Sequence, residues 1–182
     1  MKIQKTPFEG LIVLEPRVFK DERGYFFESF RLDRYNEMGI KENFIQDNES
    51  KSVRGVIRGL HYQLNPFAQA KLVRVIEGSV FDVALDLRRN FPTFGQWFGI
   101  ELTGENKKQL LIPRGFAHGF SVLSETVIFS YKCDNYYDPG SERGIIYNDS
   151  ELNIDWKIPE SEAIVSEKDR KNSLFRDADF NF

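Results

Sequence analysis

Only two histidines, His61 in RGLHYQ and His118 in PRGFAHGF, and one cysteine, Cys133, occur in the 182 residues. Acid–base and nucleophilic chemistry therefore has few places to sit. A histidine taken at random more often fills a structural role than a functional one. His61 departs from that default because it lies on an expected strand among Arg58, Tyr62 and Gln63, a density of polar groups that a half-buried strand rarely needs unless they face a ligand. If residues 64–68 form the turn of a hairpin centred near Pro66, His61 stands opposite Lys71 on one face. A neutral imidazole removes a proton near pH 7, and an ammonium beside it stabilises the oxyanion left when that proton comes from a carbon next to a carbonyl. The pair points to enolisation, although spacing alone reads Lys71 equally well as a solvated strand charge.

Other chemistries find less support. Barrels that hold a transition ion use closely spaced histidines, a carboxylate and a further histidine. Two histidines with no H-x-H pair cannot supply that set, so no catalytic metal is expected. Cys133 closes an apolar run and no G-x-S-x-G elbow is present, which makes it a buried spectator thiol rather than a nucleophile. Glycine-rich phosphate loops are absent as well, so a nucleotide would have to be held by Arg, His and aromatic groups, with Arg23, Arg58 and Tyr137 available.

The elements that position these groups read as strands. Phe81, Val83, Leu85 and Leu87 alternate with Asp82, Ala84 and Asp86 after Gly78, the period of two expected for a strand with one buried face. Similar strands fit Leu11 to Leu14, Tyr25 to Phe30, Val56 to Gln63, Lys71 to Ile76, Trp97 to Leu102, Gln109 to Ile112, Phe116 to Leu123 and Val127 to Lys132. Leu32 to Met38 fits a single helix stopped by Gly39 at C′. The 13 Gly and 7 Pro are scattered between short apolar runs, as in an all-β jelly roll or barrel whose interior holds a small ligand. The tail from about Asn153 reads as loop and short helix packed outside.

Bulk properties set the frame. A chain of 182 residues suits one domain, which buries roughly two-thirds or more of its unfolded surface. Apolar content of 41% argues against disorder, and the 17 Phe mostly serve core packing. Lys and Arg total 25 against 28 Asp and Glu, a net charge of -3, without the basic excess of a nucleic-acid binder. The start MKIQKTPFEG lacks the apolar core of a secretory signal, no apolar run approaches the roughly 20 residues of a membrane span, and one cysteine allows no internal disulfide. A soluble cytoplasmic protein is expected.

Taken together, RGLHYQ, AKLVRV-x-x-G, PRGFAHGF, SYK followed by YYDPGSE, and SEKD resemble the dTDP-4-dehydrorhamnose 3,5-epimerase family. The likeness runs in order from DERGYFFESF to SEKDR, across nearly the whole chain. It implies a cupin-type double-stranded β-helix, or jelly-roll barrel, with short peripheral helices. The roll core would span about 45–145, followed by a loop and helix tail. The protein would work without metal or cofactor as a homodimer whose N-terminal strands extend onto the partner's sheet. By motif, the resemblance makes His61 the base, Asp169 its carboxylate partner, Tyr131 the proton donor across the sugar and Lys71 the group facing the ketone oxygen. Arg23, Glu28, Gln46, Asp47, Asn48 and Arg58 match positions that hold the nucleotide and its phosphates, with His118 near the diphosphate end. Phe26 and Tyr137 match positions for stacking on thymine, and Glu142 and Lys168 fall on the ligand side.

The implied reaction converts dTDP-4-dehydro-6-deoxy-D-glucose to dTDP-4-dehydro-L-rhamnose, a step toward dTDP-L-rhamnose and bacterial surface polysaccharide. Three alternatives stay open on sequence: a single-centre epimerase at C3 or C5, a metal-dependent cupin oxygenase, and a non-catalytic sugar-binding barrel.

Overall fold

The computed structural model describes residues 1–182. Its strands are β1 (Lys2–Lys5), β2 (Ile12–Glu15), β3 (Phe19–Asp21), β4 (Gly24–Phe26), β5 (Gln46–Val53), β6 (Val56–Gln63), β7 (Lys71–Glu77), β8 (Ser79–Asp86), β9 (Trp97–Thr103), β10 (Gln109–Ile112), β11 (Phe116–Val122), β12 (Thr126–Cys133), β13 (Glu142–Gly144) and β14 (Ile164–Val165). One short helix, α1 (Leu32–Glu37), precedes them in part, and single 3-10 turns punctuate the tail. Sheet I runs β1-β2-β10-β7-β12-β5. Sheet II runs β13-β6-β11-β8-β9, with β14 added in parallel on β6. Strands β3 and β4 form a separate hairpin.

The sheets face each other as a cupin-type jelly roll. Their shared core joins Val73, Val75, Leu110 and Phe129 of sheet I to Val80, Ala84, Phe116 and Phe120 of sheet II. Phe120 and Phe129 stack across the gap with ring centroids 4.3 Å apart, a pairing that adds about 0.5–1.5 kcal/mol to their burial. On the far side of sheet II, Ile57, Leu60, Leu85 and Ala117 pack against Trp156, Phe175 and Phe180 of the C-terminal tail. On the far side of sheet I, Leu14, Leu72 and Leu111 are covered by Tyr35 of α1 and by Ile40.

This layering corrects the sequence reading of β8. Both of its faces are covered, Asp82 and Asp86 included, and Phe81 is only half-buried. The tail likewise does more than pack outside, because it seals the second core and adds β14 to a sheet. The roll recruits β1, β2 and β14 from beyond 45–145. Strand β4 stops at Phe26 because Phe30 turns in against Tyr35 at a centroid distance of 4.9 Å. Helix α1 ends one residue earlier than expected, with Gly39 at φ +87 taking the left-handed position.

The hairpin expected over residues 64–68 does not form. Strand β6 pairs with β11, β13 and β14, whereas β7 pairs with β10 and β12, so the chain crosses between sheets there. Beside His61, β6 and β11 come unusually close. A Cβ at Gly59, where φ is +111, would lie 2.6 Å from the His118 carbonyl oxygen, and one at Gly119 would lie 2.7 Å from that of Arg58. The register shifts between His118 and Phe120 at this contact, a bulge of the kind that re-aims a side chain.

Candidate active site

A cleft of about 630 Å³ opens between the two sheets. Sheet I supplies Gln46 and Asn48 from β5, Tyr131 from β12 and Lys71 from β7, while sheet II supplies His61 and Gln63 from β6 and Glu142 from β13. Strand register fixes the first set. Asn48 stands opposite Tyr131 and Tyr131 opposite Val73, and one pair along Gln46 stands opposite Cys133 and Cys133 opposite Lys71. The period of two then sends Tyr131 and Lys71 to the same inner face, where the Lys71 ammonium lies 5.9 Å from the Tyr131 ring centroid. His61 approaches from the opposing sheet. Lys71 and His61 thus share a cavity, but across the barrel rather than across a turn.

Asp169 backs His61. Its Oδ1 lies 2.6 Å from His61 Nε2, and its Oδ2 accepts from the Gly59 amide at 3.4 Å. The carboxylate is delivered by a chain of local contacts. Strand β14 zips onto the start of β6, pairing Val165 with Ile57. Ser166 Oγ then accepts the Asp169 amide at 3.0 Å and a 3-10 turn, Asp169–Lys171, holds the side chain inward with 5% exposure. Burial alone would raise the Asp169 carboxyl. The His61 hydrogen bond and charge, with the Gly59 and Ser166 contacts, outweigh it and hold the group below the usual carboxylate range. An ionised Asp169 only accepts, so His61 Nε2 carries the hydrogen and Nδ1 keeps its lone pair.

The opposite wall has the complementary electrostatics. Burial pushes the Tyr131 phenol up, reinforced by Cys133 and Glu142 and opposed by Arg58, so it stays protonated at neutral pH. Burial pushes the Lys71 ammonium down, against the pull of Cys133, Asp82 and Glu142. An anion arriving beside Lys71 restores what burial removes, and such an interaction is strongest when charge develops. Cys133 is buried and pushed up to about 11 by burial, with Lys71 opposing, which fits a spectator.

At the rim, Tyr137 donates to Glu142 Oε2 at 2.7 Å, Lys168 donates to the same oxygen at 2.5 Å, and the Tyr137 amide donates to Gln46 at 3.0 Å. Burial would raise Glu142, but the Lys168 and Tyr137 bonds win and lower it. These four residues form one polar lip, with the Tyr137 ring 51% exposed above it.

Several expected ligand residues lie elsewhere. Asp47 falls between Gln46 and Asn48 in sequence, so strand alternation turns its carboxylate to the outer face, where Lys132 holds it at 2.8 Å. His118 is cross-strand from His61 yet buried inside the barrel, with Nε2 2.9 Å from the buried Asp82 carboxylate. Arg23, Phe26 and Glu28 belong to the β3–β4 region, outside the cleft. Arg23 pairs with Asp21, Glu28 with Arg34, and Phe26 is 70% exposed. No Phe26–Tyr137 sandwich forms within one chain. Arg58 is exposed on β6, with its Nε donating to Ser52 at 3.1 Å. No group of three His, Cys, Asp or Glu side chains converges as a metal site, because each imidazole is engaged by its own single carboxylate.

Sequence reasoning passed over the roles of Asp82 and Ser166, and it took Gln63 only as part of the polar density around His61. Asp82 reads as a solvent-facing residue of an alternating strand, and only its distance in sequence from His118 hid the pair. Gln63 ties the rim down, donating to the Phe67 carbonyl and accepting the Asp138 amide. A glutamine at the end of a buried strand was the available signal.

Comparison with known proteins places this geometry. The sequence model described as dTDP-4-dehydrorhamnose 3,5-epimerase matches residues 5–177. The dTDP-4-dehydrorhamnose 3,5-epimerase of Pseudomonas aeruginosa is 53% identical over 180 residues, covering 98% of both chains. The crystal structure of the enzyme of that name from Elizabethkingia anophelis superposes with a TM-score of 0.93 at 56% identity, over 97% of each chain. The Legionella pneumophila dTDP-6-deoxy-D-glucose-3,5-epimerase, solved in complex with dTDP-4-keto-L-rhamnose, gives a TM-score of 0.93 at 51% identity, covering 98% of this chain and 94% of that one.

Proposed function

This chain belongs to the dTDP-4-dehydrorhamnose 3,5-epimerase family, and we propose that it inverts both carbons with His61 as base, Tyr131 as acid and Lys71 at the keto oxygen. It is an isomerase acting on a dTDP-linked 4-keto-6-deoxy sugar. In that substrate the hydrogens at C3 and C5 are both α to the C4 ketone, so one base and one acid serve two inversions. His61 Nδ1 takes the proton, the electron pair moves onto the keto oxygen, and Tyr131 returns a proton to the other face of the same carbon. Asp169 stabilises the imidazolium, and Lys71 stabilises the enolate. Donors at such an oxygen are worth about 3–4 kcal/mol each, and general acid–base groups roughly 10²–10⁴-fold.

The observation that carries this reading is the shared cleft: His61, backed by Asp169 at 2.6 Å, and Tyr131 stand on opposing sheets with room for a sugar between them. In heavy water the product should carry deuterium at both C3 and C5 by NMR, and His61→Ala, still folded by circular dichroism, should lose that uptake by orders of magnitude. Label at one carbon only would restrict the enzyme to a single centre.

Nucleotide contacts follow the same reading. Tyr137 stacks on the base, Gln46, Asn48, Glu142 and Lys168 hold the nucleotide at the rim, and Arg58 reaches the phosphates, with His118 behind them. Arg23, Phe26 and Glu28 act on the site of a second copy in a homodimer. The exposed aromatic hairpin supports that arrangement, with Phe19 50%, Tyr25 55% and Phe26 70% exposed. Gel filtration with light scattering tests the dimer. Mixing an Arg23→Ala chain with a His61→Ala chain should restore activity in about half of the mixed sites if Arg23 serves the other subunit.

A further inference from the structure

A second cleft, of about 500 Å³, shares only His61 and Glu142 with the first. Tyr131 and Lys71 do not line it. Its remaining wall includes Arg143, Lys168, Lys171 and Ser173, and no hydrophobic side chain contributes. Asn172 Nδ2 is buried in this wall without a protein partner. Glu142 forms the partition, because its Oε2 is held by Tyr137 on the rim of the first cleft and by Lys168 from the second. His61 therefore lines both clefts, and a sugar in the first leaves the second unfilled.

We propose that this second cleft is a solvent port for the base, through which the proton His61 takes from the sugar exchanges with water while the sugar still occupies the first cleft. The inference rests on His61 being the base. The exchange balances simply: the imidazolium gives its proton to a water molecule and becomes neutral, and a solvent proton returns by the reverse step. No co-reactant is needed. Tyr131, walled off from the port, keeps its own proton distinct. A base open to solvent leaves a mark that inversion alone does not. When the enolate collapses back toward His61, the sugar regains its original configuration but carries a solvent hydrogen.

The experiment runs the reaction in heavy water to partial conversion and reads deuterium separately in recovered sugar and in product by NMR. The unmodified enzyme should label recovered sugar at a rate comparable with inversion. Ser173→Phe fills the port from a residue that is exposed and pairs through its backbone with Ile145 and Ile146. It should lower labelling of recovered sugar about tenfold relative to inversion, while product stays fully labelled from the Tyr131 side. Lys171→Trp, at another exposed wall residue, should do the same if Ser173→Phe does not fold. A ratio unchanged in the folded variants, or protiated recovered sugar from the unmodified enzyme during active inversion, overturns the port. Exchange and inversion both retained in a folded His61→Ala enzyme would instead overturn the base assignment and the port with it.

Discussion

Asp169→Asn isolates the charge behind the base with almost no change of shape. The carboxylate is 5% exposed and lies 2.6 Å from His61 Nε2, so its attraction for the developing imidazolium is poorly screened. Taking about 4 Å between the two delocalised charges and an effective dielectric near 20, the pair is worth about 4 kcal/mol. At 1.36 kcal/mol per decade, that corresponds to about a 10³-fold loss of kcat. The amide adds a second fault. It can donate to Nε2, which moves the ring hydrogen to Nδ1 and occupies the lone pair that must take the sugar proton; carboxamide replacement behind a catalytic histidine costs about 10⁴-fold in serine proteases for that reason. The assay is deuterium uptake at C3 and C5 in heavy water, with circular dichroism to confirm the fold. KM should change little, because Asp169 does not touch the sugar. A folded Asp169→Asn enzyme within about tenfold of normal turnover would refute the assignment of Asp169 as the imidazolium's partner.

Four further outcomes follow from the geometry. Tyr131→Phe should still exchange the α-hydrogens through His61 but lose inversion by roughly 10²-fold or more, and inversion at normal rate would remove Tyr131 as the acid. Lys71→Met should lower kcat by about 10²–10³ with little change in KM, and an effect on KM alone would make Lys71 a binding group only. Asp169 and Glu142 both titrate lower in the folded protein than unfolded, so their stabilisation is fully present above the ordinary carboxylate range and drains away as pH falls through and below it. The urea midpoint should fall between pH 6 and pH 3, less steeply in Asp169→Asn, and parallel curves would contradict the pairing. Cys133, buried and pushed up to about 11, should resist iodoacetamide at pH 7.5 until the protein unfolds, and fast labelling of the folded protein would show the thiol to be accessible.

Much of the site was legible because its chemistry sits on residues of rare type. One histidine, a lysine and a tyrosine that the motifs singled out line the same cleft, and β6 and β10 were bounded correctly because their apolar runs end at loop segments. Strand β5 escaped notice for the reason that makes it useful. Gln46, Asn48, Ser50 and Ser52 replace the apolar half of an alternating strand with polar groups, and the first two of them line a wet cleft rather than the core. The resemblance groups Asp47 with Gln46 and Asn48, whereas strand alternation turns its carboxylate to the outer face beside Lys132. The hairpin between β6 and β7 failed because sequence neighbours in a jelly roll need not be neighbours in a sheet, and long-range pairing leaves no local signal. Asp82 and His118 were each visible, but the inner face of sheet II on which they meet is closed by sheet I, where the Phe129 ring stacks over that of His118.

The C-terminal tail couples the back of sheet II to the cleft on its front. The same stretch that shields the back of sheet II carries Asp169 to the imidazole, and Phe175 and Phe180 clamp it from behind. Cutting the chain ahead of β14 would remove the carboxylate beside His61 and the cover over sheet II in one stroke. If Asp169 acts as proposed, a barrel lacking that segment would hold the nucleotide sugar without turning it over.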